Sequence, residues 1–325
     1  MSNETTYDIV IIGAGPAGLF AAYYAGFRGM KTAMFDGLPQ VGGQISTMYP
    51  EKKIHDVAGF ASIKGSEFVA QLLEQSRRQD YDLYLSETVT TLRSEGDSYR
   101  ICTDQGRVIS AKSVIIAAGL GKCEPRSLPE LEGVSSANVM HFVPDLSVLT
   151  GQDVVVAGGG DSAVDWALAA VPLAKSVTVI HRRNRFRAHE SSVKEMYESS
   201  ATIIAPGEVK GYRVESAQEI LTISTGKESV QDIPFGKFVM ALGFASDLSG
   251  MADWGLQIDG YRIPVQPDMQ TCLPRVYAIG DISEYTGKVR LMAVGFGEAA
   301  IAVNHAAAAI SPGASVLPGH STNQG

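Results

Sequence analysis

Tyr7-Asp8-Ile9-Val10-Ile11-Ile12-Gly13-Ala14-Gly15-Pro16-Ala17-Gly18 is the stretch on which the fold turns. The run from Tyr7 to Ile12 is largely apolar and ends in glycine, the pattern of a strand buried on both faces. Pro16 to Gly29 reads as a helix, with Pro16 in the first turn, where a missing N–H is harmless. Lys31 to Asp36 reads as the next strand. Strand, glycine turn, helix and strand form the setting that a dinucleotide loop requires. Gly13 permits the tight turn, Gly15 lets the backbone approach a pyrophosphate, and Gly18 brings helix against strand. The pyrophosphate then meets the helix N-terminus, where unpaired N–H groups and the helix dipole favour anions. Asp36 closes the second strand, where a carboxylate accepts hydrogen bonds from ribose hydroxyls.

The chain then repeats itself. Adding 145 to each position carries Gly13 onto Gly158, Gly15 onto Gly160, Gly18 onto Ala163 and Asp36 onto His181 without a gap. Gln152 to Ala157, Asp161 to Val171 and Lys175 to His181 repeat the strand, helix and strand around Gly158-Gly159-Gly160-Asp161-Ser162-Ala163. What differs is the charge at the end of the second strand. A carboxylate there would repel a 2′-phosphate; here His181 is followed by Arg182, Arg183, Arg185 and Arg187. Guanidinium groups bind phosphate through paired, charge-assisted hydrogen bonds. The first site therefore suits an adenosine with a free 2′-hydroxyl, and the second suits NADP(H). Two such sites in one chain suggest one resident and one visiting cofactor, with electrons passing between them.

The expected fold class is α/β, with two Rossmann-like three-layer dinucleotide-binding domains, the second inserted into the first. Apolar runs ending in glycine recur at Ser113 to Ala117, Lys237 to Leu242 and Arg275 to Ile279. The first unit lacks a finishing strand unless the chain returns to it, so we expect a discontinuous outer domain (1–117 and 244–325) and an inserted one (118–243). Gly119-Leu120-Gly121 and Gly243-Phe244 are the expected hinges. Gly65 to Arg78 and the alanine-rich Arg290 to Ile310 read as helices, and the tail from Ser311 reads as loop. A net charge of −8 argues against a general nucleic-acid binder. No uninterrupted apolar stretch looks long enough to cross a bilayer, and the polar Met1 to Tyr7 does not resemble a signal peptide, so a cytoplasmic enzyme is expected. Cys102, Cys123 and Cys272 form no CxxC and no metal-ligand spacing.

These motifs resemble the pyridine nucleotide–disulfide oxidoreductase superfamily, in the layout of the low-molecular-weight thioredoxin reductases. Gly13 to Gly18 resembles their FAD pyrophosphate loop, including Pro16 and Ala17, and His181-Arg182-Arg183-Asn184-Arg185-Phe186-Arg187-Ala188 resembles their NADPH 2′-phosphate motif. Thr271 to Asp281 resembles their second FAD motif, which implies that Gly280 and Asp281 meet the flavin ribityl chain. The departure matters more. Where thioredoxin reductases carry CxxC, this chain has Met140-His141-Phe142-Val143-Pro144-Asp145-Leu146. Thiol–disulfide exchange needs a thiolate beside a resolving thiol, so electrons must leave the flavin directly.

The branch with that property is the thioredoxin-reductase-like ferredoxin/flavodoxin–NADP reductases. Its motifs are similar to Gly42-Gly43-Gln44, the stretch Tyr49 to Phe60, Gly158 to Ala167, Phe186 to Glu190 and Pro318-Gly319-His320-Ser321. The resemblance implies FAD and NADPH as cofactors, a ferredoxin or flavodoxin as partner, and a homodimer. It implies that Gln44 lies by the flavin, that Tyr49 stacks on one flavin face, and that His320 with Ser321 covers the other. For the second site it implies NADP contacts from Gly158, Gly160, Asp161, Ser162, Ala163, His181, Arg182, Arg183 and Arg187. A flavin reductase of a low-molecular-weight disulfide or quinone would share the missing CxxC, and a flavin-bearing redox sensor would lack turnover. Acidic partner proteins would need a basic docking patch, for which Lys52 with Lys53, or Lys288 with Arg290, are the candidates.

Overall fold

The strand Thr5–Ile12 lies at the centre of a parallel sheet, between Thr32–Asp36 and Val108–Ile116. This computed structural model describes residues 5–143, 145–225, 229–311 and 313–317, with backbone only at 122–124 and 246. The parallel order is Asp82–Leu85, Thr32–Asp36, Thr5–Ile12, Val108–Ile116 and Val276–Ala278. Register is set residue by residue: Ile11 lies beside Met34 on one side and Ile115 on the other, and Ile115 beside Tyr277. Both faces of this sheet are covered, which is why its strands are continuously apolar. On one face Ile9, Ile11 and Met34 pack under helices Pro16–Phe27, Gly65–Ser76 and Met292–Ile310. On the other, Val10, Ile12 and Phe35 pack with Leu92, Tyr99, Ile101 and Trp254. Each such fully buried aliphatic or aromatic side chain contributes about 1.5–3 kcal/mol of hydrophobic stabilisation.

The helix Met292–Ile310 corrects one sequence expectation. By length and composition it could cross a membrane. Its apolar character comes from alanines that let it approach another helix closely: Ala299, Ala302, Val303 and Ala306 are buried in the core beneath Pro16–Phe27. It also carries Glu298 into that core.

The chain divides into two compact units, residues 1–122 with 246–325, and residues 123–245. It leaves the first unit a few residues beyond the expected 117/118. Gly121 bridges to Asp247 and has Leu248 against its α-carbon, so it still belongs to the first unit.

The second unit repeats the architecture. Val139–Met140, Lys237–Met240, Asp153–Ala157, Ser176–Ile180 and Thr202–Ile204 form a parallel sheet in that order. Helices Asp161–Ala170 and Glu190–Glu198 belong to this unit. An antiparallel sheet of Glu208–Glu215, Gln218–Ser224 and Val230–Phe235 contributes Leu221, Ile223 and Phe235 to a core shared with Val155 and Phe238. In each unit the strand order reverses beside the strand that precedes the glycine loop. In open α/β sheets ligands bind at that switch, beyond the carboxyl ends of the strands.

Candidate functional site

The two glycine loops share one hydrogen-bonding plan. The Gly13 N–H donates to the Phe35 carbonyl at 2.7 Å, and the Gly158 N–H donates to the Ile180 carbonyl at 3.0 Å. The neighbouring strand donates back, Ala117 to Ile12 at 2.7 Å and Ala241 to Ala157 at 2.8 Å. A Cβ on Gly13 would overlap the Ala117 carbonyl oxygen, and one on Gly158 the Ala241 carbonyl oxygen. A Cβ on Gly18 would overlap the Gly13 carbonyl oxygen, so the third glycine is fixed by packing within the loop. Gly15 and Gly160 differ from these. Each caps its helix, and nothing lies within 4 Å of a Cβ built on either. The open face in front of each helix N-terminus is where a pyrophosphate fits, among N–H groups without intrahelical partners.

Asp36 and His181 occupy matching positions and do different things. The Asp36 carboxylate accepts from the Ala14 N–H at 2.6 Å and the Leu38 N–H at 2.8 Å. Burial holds its pKa above the ordinary value against the pull of those two donors. Each oxygen keeps a lone pair for a further donor. In the second unit the residue facing the loop is the His181 ring, which lies directly under Gly159; any Cβ there would overlap it. The ring is buried against Phe186, 4.9 Å between centroids, with Nε2 3.2 Å from the Arg185 carbonyl oxygen. Burial, reinforced by Arg182, Arg183 and Arg187, pushes its pKa below the ordinary value. The buried ring, held toward its neutral form, is a wedge that supports the loop.

The segment after His181 folds back over the glycines. The Arg187 N–H donates to the Gly159 carbonyl at 2.7 Å, and the Asp161 carboxylate accepts from the His189 N–H at 2.9 Å. These bonds close a cavity of about 530 Å³ lined by Gly158, Gly160, Asp161, Ser162, His181, Arg182 and Arg187. Ala163 is buried in the helix behind, with its methyl beside Gly158. Arg183 is exposed and does not line the cavity. Arg126 and Lys210 do line it, and sequence reading missed both. Neither sits in a glycine or arginine motif; an irregular stretch after a short strand and an antiparallel strand bring them there.

Around the first loop, Gly43 lies over Gly15, where a Cβ would stand 3.3 Å from the Gly15 α-carbon. Gln44 opens the short helix Gln44–Met48, and its side-chain amide lies 3.4 Å from the direction of a Cβ on Gly119. Tyr49 follows that helix, half-buried, with its pKa pushed up to about 12 by burial and then by the charges of Asp281 and Asp56. Gly280 sits against Ala17, and Gly295, in the first turn of Met292–Ile310, sits against both. Thus Gly15, Ala17, Gly43, Gly280 and Asp281 converge on one rim, and Pro16 starts the helix beneath it. His320 and Ser321 lie outside the described residues.

A buried ion pair holds this rim. Glu298 accepts from the Gly280 N–H at 2.7 Å and the Tyr285 hydroxyl at 2.8 Å, and it pairs with the Lys288 ammonium. Lys288 also donates to the Gly280 carbonyl and the Ser283 hydroxyl, each at 3.0 Å. The Lys288 side chain is 2% exposed, which overturns its expected place in a docking patch. Its neighbour Arg290 is exposed and paired with Glu284. Lys53 is exposed, and the Lys52 ammonium lies 5.9 Å from the centroid of the Tyr49 ring.

Residues 7–306 match the family model of the pyridine nucleotide-disulphide oxidoreductases. The chain belongs to that family. Within it, the chain is 48% identical over 98% of each chain to a protein named ferredoxin–NADP reductase from Nocardioides sp.. It is 47% identical to another of that name from Frankia casuarinae, over 98% of this chain and 99% of that one. Among solved structures it resembles the thioredoxin reductase of Lactococcus lactis, with a TM-score of 0.79 and 26% identity over 94% of this chain and 99% of that one. The family's dinucleotide-binding fold is the one built here twice, and FAD and NADP(H) are its cofactors. As a member whose three cysteines form no CxxC, this chain has no thiol pair of that spacing to relay electrons.

Proposed function

We infer that this protein is an FAD-dependent NADPH:ferredoxin oxidoreductase. One observation carries the reading: a single loop geometry, built twice, meets a carboxylate at Asp36 and an arginine-rich loop at Arg182 and Arg187. The relatives named ferredoxin–NADP reductase, matched over nearly the whole chain, support it. In this reading the first unit holds FAD and the second takes NADPH. The open face of Gly15 receives the FAD pyrophosphate at the helix that begins with Pro16 and Ala17, Asp36 accepts from the adenosine ribose, and Asp281 from the ribityl chain. Gln44 and Tyr49 line the ring, and His320 with Ser321 completes it. Bound FAD supplies hydride acceptance from NADPH and one-electron release to the acceptor. The protein's residues bind and orient, and none is required as an acid or base. Flavodoxin as a second acceptor, a homodimer and a cytoplasmic location complete the reading, on the resemblance already described.

The glycines give a sharp test of the site. Gly15→Ala meets no atom, so the apoprotein should keep its thermal midpoint while FAD retention falls. Gly18→Ala overlaps the Gly13 carbonyl and should destabilise the protein by about 1–3 kcal/mol, the usual cost of overpacking. Equal loss of stability in both variants would remove Gly15 from the pyrophosphate site.

The acceptor is tested by steady-state NADPH oxidation with a panel of ferredoxins, flavodoxins, low-molecular-weight disulfides and a neutral quinone. Ferredoxin should be reduced fastest at low salt, with rates falling as ions screen charges beyond about 8–10 Å. Lys52→Glu with Lys53→Glu should slow ferredoxin several-fold and leave the quinone unchanged. An unchanged ferredoxin salt dependence would move the docking site elsewhere, and preferential disulfide reduction would overturn the acceptor class.

A further inference from the structure

The cavity of the second unit holds a charged pair that no nucleotide motif contains. The Gly207 N–H donates to the His181 carbonyl at 2.8 Å, stitching the start of strand Glu208–Glu215 to the arginine loop. Glu208 and Lys210 are two residues apart on that strand, Lys210 at a β-bulge where the register shifts between Val209 and Gly211, and both side chains are exposed. They meet at 2.5 Å between carboxylate and ammonium, and both line the cavity with Arg182 and Arg187. Arg126, Glu130, Asp161, Arg182 and Arg187 are the other charged residues of this cavity. Arg182 acts on Glu208 and Glu130 acts on Lys210, while Arg126 lines the same cavity. Both side chains are about half exposed, so the pair is free to re-form with a different partner.

We propose that Lys210 is a further cation of the 2′-phosphate site and that Glu208 is the internal anion competing for it. This rests on the NADPH reading above. A phosphate arriving beside Arg182 offers the ammonium a more highly charged partner than a single carboxylate. The Glu208 carboxylate then faces the phosphate as a like charge, which weakens the complex. When the cofactor leaves, Glu208 takes Lys210 back. The pair thereby keeps binding of the visiting cofactor below the strength its cations alone would give. The two residues act with opposite sign, an outcome that a merely structural pair would not produce.

The test is calorimetric titration of the holoprotein with 2′,5′-ADP and with 5′-AMP, whose ratio of dissociation constants reads the 2′-phosphate alone. Lys210→Ala should weaken 2′,5′-ADP about fivefold, the value of one solvent-accessible charge pair, and leave 5′-AMP unchanged. Glu208→Gln should tighten 2′,5′-ADP about threefold and also leave 5′-AMP unchanged. If the parent prefers 2′,5′-ADP and Lys210→Ala keeps the full preference, the proposal is wrong and the NADPH reading stands. Weaker 2′,5′-ADP binding in Glu208→Gln would equally overturn the competition. If the parent itself shows no preference, the NADPH reading fails and the proposal with it.

Discussion

Lys288→Met should lower the unfolding free energy by about 3–5 kcal/mol, the usual cost of removing one partner from a buried ion pair. The substitution keeps an unbranched side chain, one atom shorter, but leaves the Glu298 carboxylate buried with only neutral donors: the Gly280 N–H and the Tyr285 and Ser283 hydroxyls. Glu298→Gln should cost a similar amount, because the Lys288 ammonium is then buried without a counter-charge and the new amide nitrogen meets the Gly280 N–H, donor against donor. The double variant should cost less than the sum, since neither charge remains. Both single variants should also release FAD more readily, because Glu298 fixes the Gly280 N–H and with it the turn that presents Asp281. Thermal unfolding of the apoprotein and the flavin-to-protein ratio after gel filtration measure the two effects. A Lys288→Met variant within about 0.5 kcal/mol of the parent, the range of ordinary surface changes, would mean that this pair does not brace the rim.

The second large effect concerns the nucleotide. Arg182 lines the cavity beside Gly158 and Gly160, and its loop is tied down by the bond from Arg187 to Gly159. Losing a hydrogen bond to a charged group costs about 1.5–3 kcal/mol, or about tenfold to a hundredfold in affinity. Arg182→Ala should therefore weaken NADPH by that factor and barely change NADH. Arg183→Ala should have less effect, because Arg183 is exposed and is not among the residues that line the cavity. Stopped-flow reduction of the flavin over a range of NADPH and NADH concentrations separates these cases. Equal weakening of both cofactors by Arg182→Ala would show that this arginine does not read the 2′-phosphate.

Much of this was legible in the sequence, because the loop chemistry depends on residues close in the chain. The 145-residue offset between Gly13 and Gly158 reappears as a repeated set of backbone hydrogen bonds, down to the carbonyls of Phe35 and Ile180. The exchange of Asp36 for His181 was visible as a change of charge. Its partner change, Ala14 for Gly159, gains its meaning only from the ring beneath it. A buried histidine followed by four arginines looks in sequence like one basic run. Lys288 shows the opposite error. Among Thr286, Gly287 and Arg290 it reads as a solvated lysine, and only the approach of helix Met292–Ile310 buries it on Glu298. The antiparallel strands of the second unit were not read from the sequence, and nothing local indicated that Glu208 and Lys210 would reach the cavity, since register between distant segments decides it. The alanines of Met292–Ile310 carry no length signal that separates a core helix from a spanning one. The buried Glu298 and the facing helix Pro16–Phe27 do.

The central claim is that electrons pass from NADPH to ferredoxin with no cysteine on the path. The most direct measurement is NADPH-dependent ferredoxin reduction by the protein in which Cys102, Cys123 and Cys272 are all replaced by Ser. Cys102 is half-buried in a strand, and Cys272 is exposed, with the Gln257 N–H 3.2 Å from its sulfur; neither position is tied to the glycine loops. The variant should bind FAD and reduce ferredoxin at a rate close to the parent's. Loss of ferredoxin reduction in a variant that still carries FAD and still consumes NADPH with a quinone would contradict the account.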